Sequence, residues 1–130
     1  IFLHPAVPRE DLPRYSASAD IGLCLIQPTC LSYEYALPNK LFEYLSQGLV
    51  VLMSDLPAMR HFHVTNRVGE LVPPNDPAVL SATLARAVVA SRGRDRLAIN
   101  AVSLNYNWDN EGQKMIEAYR VLEMSKSLRP

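Results

Sequence analysis

The sequence predicts an α/β fold: a parallel sheet with helices on both faces. Three observations point to it. Short apolar runs at residues 21–26 and 49–54 have the length and unbroken character of strands buried on both sides. Stretches with helical spacing and clear start and stop signals alternate with these runs, the pattern of a parallel sheet. The composition suits a packed core: of 130 residues, 48% are hydrophobic and 20% charged.

In chain order, residues 1–7 read as a short strand ended by the turn from Pro5 to Pro8. Residues 10–19 read as a helix that tolerates Pro13 only in its first turn. The strand at 21–26 is followed by a long loop, 27–39, and loops of that length tend to be functional. A helix at 40–47 comes next, stopped by Gly48, and then the strand at 49–54. Residues 57–64 predict a short helix with proline at its first position. Residues 69–73 predict a brief strand ended by Pro73. Asp76-Pro77 is an N-cap followed by an N1 proline, opening a helix over 77–91 with Leu80, Leu84 and Val88 on one stripe and Gly93 beyond its end. Residues 94–104 predict a helix whose packed face carries Leu97, Ala101 and Leu104. Residues 110–125 predict a last helix carrying Met115, Ala118, Tyr119 and Leu122.

Thirteen basic and thirteen acidic residues cancel, which argues against nucleic acid as the main partner. No apolar run approaches the ~18 residues of a membrane span, and no N-terminal signal pattern is visible. Cys24 and Cys30 read as two reduced thiols of a cytosolic protein. His61 and His63 lack a third ligand nearby, so no metal site is expected. Trp108 is expected as a packing anchor, Tyr106 and Tyr119 as half-buried, and Asp20 as a cap at a helix–strand junction. The run Arg92-Gly93-Arg94-Asp95-Arg96 is expected as a solvated surface, with a membrane face as a further use.

The candidate site is the segment Leu37-Pro38-Asn39-Lys40-Leu41-Phe42-Glu43-Tyr44 and the glycine that ends its helix. With Asn39 as N-cap, Leu41, Phe42 and Leu45 form an apolar face, while Lys40, Glu43 and Gln47 share the opposite one. A plain i,i+3 ion pair between Lys40 and Glu43 is one reading. The other is a ligand site. The helix start follows the C-terminal end of a strand, where open α/β sheets bind ligands, and its free N–H groups suit phosphate. Glu43, one turn in, suits a sugar hydroxyl.

Pro38-Asn39-Lys40-Leu41-Phe42-Glu43-Tyr44, followed by Gly48 and an apolar strand, resembles the "glycosyl transferases group 1" family of GT-B glycosyltransferases, many of which carry a P-x-K-x-x-E-Y or P-N-K-x-F-E-Y segment. Asp11-Leu12-Pro13 through Ala19-Asp20-Ile21, Gly69-Glu70-Leu71-Val72 through Asp76-Pro77, and Asn107-Trp108-Asp109 with Tyr119 resemble that family's other segments in the same order. The resemblance covers nearly the whole chain. It implies a Rossmann-like C-terminal donor-binding domain, cut at its N-terminus and ending in helices at about 94–125. It also implies a retaining hexosyltransferase that takes a nucleotide-diphosphate sugar, UDP- or GDP-linked, without a metal.

Residue by residue, the resemblance assigns the nucleotide ribose to Glu43, the second carboxylate of a Glu-x7-Glu motif. The backbone of Ala36, Leu37, Pro38 and Asn39 is assigned to the sugar and phosphates, and Lys40 can add phosphate charge. The first carboxylate's place is held by Tyr35, a departure, with Glu34 one residue away. The family's main cationic pair, glycine-rich turn and acceptor-binding N-terminal domain would lie upstream of residue 1, so this chain alone is expected to be inactive. The implied partners are a glycan or lipid-linked acceptor, in the cytoplasm or at the inner membrane face, in polysaccharide or glycolipid assembly. Two other readings stand beside it. One is a receiver-like signalling module, which lacks the acidic cluster it would need. The other is a non-catalytic glycosyltransferase-like binding module, which Tyr35 favours. In a Rossmann strand order, the first strand should stand detached from the strand at 21–26 or leave an exposed sheet edge.

Overall fold

A computed structural model describes residues 2–127, with side chains through residue 124. The elements are α1 (Leu12–Ala17), β1 (Ile21–Cys24), α2 (Leu31–Glu34), α3 (Asn39–Ser46), β2 (Val50–Ser54), α4 (Pro57–Asn66), β3 (Glu70–Val72), α5 (Pro77–Ser91), α6 (Arg96–Ser103), a 3₁₀ turn (Leu104–Tyr106) and α7 (Trp108–Ser127).

The three strands form one parallel sheet in the order β1-β2-β3. Ile21 pairs with Val50 and Cys24 with Met53, while Leu52 pairs with Glu70 and Ser54 with Val72. Alternation along the strands sends side chains to two cores. Cys24, Val51 and Met53 meet Leu41 and Leu45 of α3 and Met59 and Phe62 of α4. On the other face Val50, Leu52 and Val72 meet Leu80, Leu84 and Ala87 of α5. The α/β fold with helices on both faces is therefore present.

Two glycines make this packing possible. Gly22 lies under the Tyr44 ring, where a Cβ would sit 2.3 Å from Tyr44 Cδ2, so α3 can lie close on β1. Gly48 takes φ +69° as α3 turns into β2, and its open side faces the Arg96 carbonyl.

Several sequence expectations are corrected. Residues 2–7 form no strand, and Phe2 and Leu3 are fully exposed; Ile1 lies outside the described residues. An apolar extended segment becomes a strand only when a neighbour takes its backbone hydrogen bonds, and none does here among the described residues. The segment stands apart from β1, which is an edge strand. The loop at 27–39 contains a one-turn helix, α2.

The packed face of α6 is Ile99 and Val102, continued by Tyr106, while Leu97 is 81% exposed and Leu104 is also exposed. On α5, Val88 is exposed and the buried positions are Thr83, Ala87 and Ser91. Trp108 and Tyr119 are exposed rather than packed, whereas Tyr106 is half-buried and its hydroxyl donates to Asn66 Oδ1 at 3.0 Å.

In the arginine run Arg92, Gly93, Asp95 and Arg96 are exposed, as a solvated surface requires, and Arg94 is the exception. The Arg94 side chain is 11% exposed and donates to Ala19 O and to Asp20. Arg96 donates to Ala17 O and Ala19 O. The two guanidinium groups take up carbonyls that the end of α1 leaves without helical partners, and Asp20 serves as an ion-pair partner.

Candidate functional site

The site is built where α3 starts. Because β1 and β2 are parallel neighbours joined through α3, that helix runs antiparallel to them, and its N-terminus lies at the C-terminal end of the sheet. The residue before the helix is Pro38, not Asn39: Pro38 is extended, with φ −74° and ψ 150°, and its carbonyl accepts from Leu41 N at 3.0 Å. Proline's fixed φ suits this entry, and Asn39 becomes the first helical residue without a side-chain cap bond. No acceptor for the backbone N–H of Asn39 or Lys40 occurs among the described residues. These are the orphan donors of a first helical turn.

The chain entering this turn is held from below. Buried Ser54 at the end of β2 donates its hydroxyl to Ile26 O and accepts from Ile26 N, both at 2.7 Å. That clasp fixes the strand exit from which residues 27–38 leave.

Lys40 and Glu43 do not pair with each other among the described residues. Lys40 is half-buried on the side of Cys24: burial pushes the Cys24 thiol pKa up, and the Lys40 ammonium partly opposes this. Glu43 is exposed, and its carboxylate has no hydrogen-bond or ion-pair partner among the described residues. It stands on a ridge between two clefts. One, about 230 Å³, lies between α1 and α3 and is lined by Arg9, Leu12, Ser16, Ser46 and Gln47 besides Glu43. The other, about 360 Å³ and shallower, lies between α3 and the α6–3₁₀ segment, with Phe42, Asn100 and Asn107 in its walls. Tyr44, next to Glu43, has its hydroxyl pKa raised by burial, with Cys24 and Glu43 adding to the rise.

The other expected site residues sit apart from these clefts. Glu34 ends α2 and is half-buried, and Tyr35 caps it with its N–H on Leu31 O at 3.1 Å. Ala36 N reaches Tyr33 O at 3.4 Å. Tyr35 is 66% exposed, and Leu37 is exposed as well. None of residues 34–37 lines either cleft that Glu43 lines. Conversely, Arg9 and Ser16 were not singled out from sequence. The signal was there in the i,i+4 pair Leu12 and Ser16, one face of a helix that leans on α3.

Among the described residues no group of three or more His, Cys, Asp or Glu is placed to hold a metal ion. His63 Nδ1 lies 3.0 Å from Val68 O, and both cysteines are free thiols. No described helix is long and apolar enough to cross a membrane. No protein-family model matches this chain, and no curated protein matches it significantly.

Proposed function

We propose that this chain is the donor-binding part of a glycosyltransferase, holding a UDP- or GDP-linked sugar for hexosyl transfer with retention and without a required metal. One observation carries the proposal: the motif's ribose carboxylate, Glu43, is unpaired and faces the α1–α3 cleft beside Arg9, Ser16 and Gln47. A carboxylate left open in a cleft is ready to accept two hydroxyl donors, the pattern a ribose diol offers. The free N–H groups of Asn39 and Lys40 and the Lys40 ammonium supply positive potential for a diphosphate at the helix start. Charge building on the departing nucleotide would be stabilised there. The acceptor, a glycan or a lipid-linked glycan, and a cytoplasmic setting at the inner membrane face belong to the same proposal.

Calorimetric titration of UDP and GDP into the chain and into Glu43→Gln tests it. Losing charge-assisted hydrogen bonds costs ~1.5–3 kcal/mol, so affinity should fall by about tenfold or more. Unchanged affinity in the variant would remove Glu43 from the site. The exposed Tyr35, standing where a sugar-contacting carboxylate is expected, favours a second reading as a binding module without transfer. That reading predicts equal affinity for the nucleoside diphosphate with and without its sugar.

A further inference from the structure

Glu43 shares its cleft with an arginine that has no partner. Arg9 is exposed, and among the described residues its side chain makes no hydrogen bond or ion pair, not even with Glu43 across the cleft. Its place follows from the helices. α1 leads into β1 and α3 into β2, and these strands are parallel neighbours, so the two helices run in the same direction. Their far ends are tied together: Arg96, packed against Gly48 beyond α3, donates to Ala17 O and Ala19 O at the end of α1. Arg9, ahead of α1, therefore stands at the end where α3 begins.

In a nucleotide the phosphate and the base leave the ribose on opposite sides. A ribose held by Glu43, with its diphosphate at the N–H groups of Asn39 and Lys40, turns its base away from the first turn of α3 and across the cleft. The wall it meets there is Arg9, Leu12, Pro13 and Ser16. Leu12 and Pro13 are exposed and give a ring an apolar surface to lie on. Arg9 supplies the fork: a guanidinium donates two parallel N–H bonds and asks for two adjacent acceptors. Guanine carries O6 and N7 side by side. On uracil O4 is flanked by N3–H and C5–H, and on adenine N7 is flanked by the N6 amino donor. Of these three bases only guanine fills the fork.

We propose that Arg9 reads the O6/N7 edge of guanine, so that the α1–α3 cleft takes a GDP-sugar in preference to a UDP-sugar. The proposal rests on the reading of Glu43 as the ribose carboxylate and adds the base, which that reading leaves open.

Calorimetric titration of the chain with GDP, UDP and 7-deaza-GDP, in which a C–H replaces N7, tests it. GDP should bind about tenfold or more tighter than either of the others. In Arg9→Gln, altered at an exposed side chain without partners, the three should bind alike, at the level of UDP in the unaltered chain. Equal affinity for GDP and 7-deaza-GDP, a preference for UDP, or a GDP preference kept in Arg9→Gln would overturn the inference. If Glu43→Gln still weakened every nucleotide, the donor-site reading would survive that result. Saturable binding of none of the three would overturn the reading and the inference together.

Discussion

Glu43 and Lys40 are one helical turn apart, yet they serve different surroundings. Glu43 faces the α1–α3 cleft and Lys40 leans towards a buried thiol. Their separation removes the ordinary surface ion pair that the spacing also allowed. The same small region sets two residue-level predictions. Gly22→Ala would drive a Cβ into the Tyr44 ring, and chemical denaturation should show a loss of about 1–3 kcal/mol. Iodoacetamide should label Cys30 in the native protein and leave Cys24 unmodified until denaturant is added, because Cys24 is fully buried and its thiol pKa is raised. Rapid native labelling of both thiols would contradict the packing of β1 under α3. At this scale the motif residues were legible, because lysine and glutamate spacing on a helix fixes which face they share. Pro38 displacing Asn39 as the cap was not, since both residue types suit a helix entrance.

Secondary-structure elements were legible where their signals are local, and misread where a neighbour decides. Helix α5 keeps the bounds that Asp76-Pro77 and the glycine after it predict, with Asp76 Oδ1 accepting from Val79 N at 3.0 Å. On α6 two apolar stripes compete, Leu97-Ala101-Leu104 and Ile99-Val102 leading to Tyr106. Spacing cannot choose between them, and the aromatic cluster of Phe42, Phe62 and Tyr106 does. Arg94 was misread for a similar reason: it reaches a carbonyl some 75 residues away in sequence. Arg94→Ala should therefore loosen α1. Hydrogen exchange at residues 12–20 should speed up, with a stability loss of about 1 kcal/mol from the lost Arg94 hydrogen bonds, since Ala19 O keeps its bond from Arg96. Between β2 and α4, Arg60 hydrogen-bonds Asp55 at 2.7 Å and holds its carboxyl pKa below the usual carboxylate value. The folded state then takes up the proton less readily than the unfolded chain does. The stabilisation is full at neutral pH and is lost as pH falls through the lowered value. Asp55→Asn should flatten the acid limb of a stability–pH curve.

For the whole molecule, alternating apolar runs and amphipathic stretches made the three-layer arrangement readable, because unbroken apolar runs of about six residues are too short for buried helices. What the alternation could not specify is which strands find neighbours. The segment 2–7 stays unpaired, and β1, with the apolar composition of an interior strand, lies at the edge of the sheet. This edge and the uncovered α7 are two places where the molecule departs from a compact monomer. The proposed donor site does not depend on either, because Glu43, Lys40 and Asn39 are carried on α3, the helix packed against both β1 and β2. The most direct test is backbone-amide chemical-shift mapping of the chain with UDP and GDP. The account predicts saturable shifts at Asn39, Lys40 and Glu43 and across the cleft at Arg9 and Ser16. Shifts confined to the cavity at the start of α5, around Asn75 and Asp76, or none at millimolar nucleotide, would contradict it.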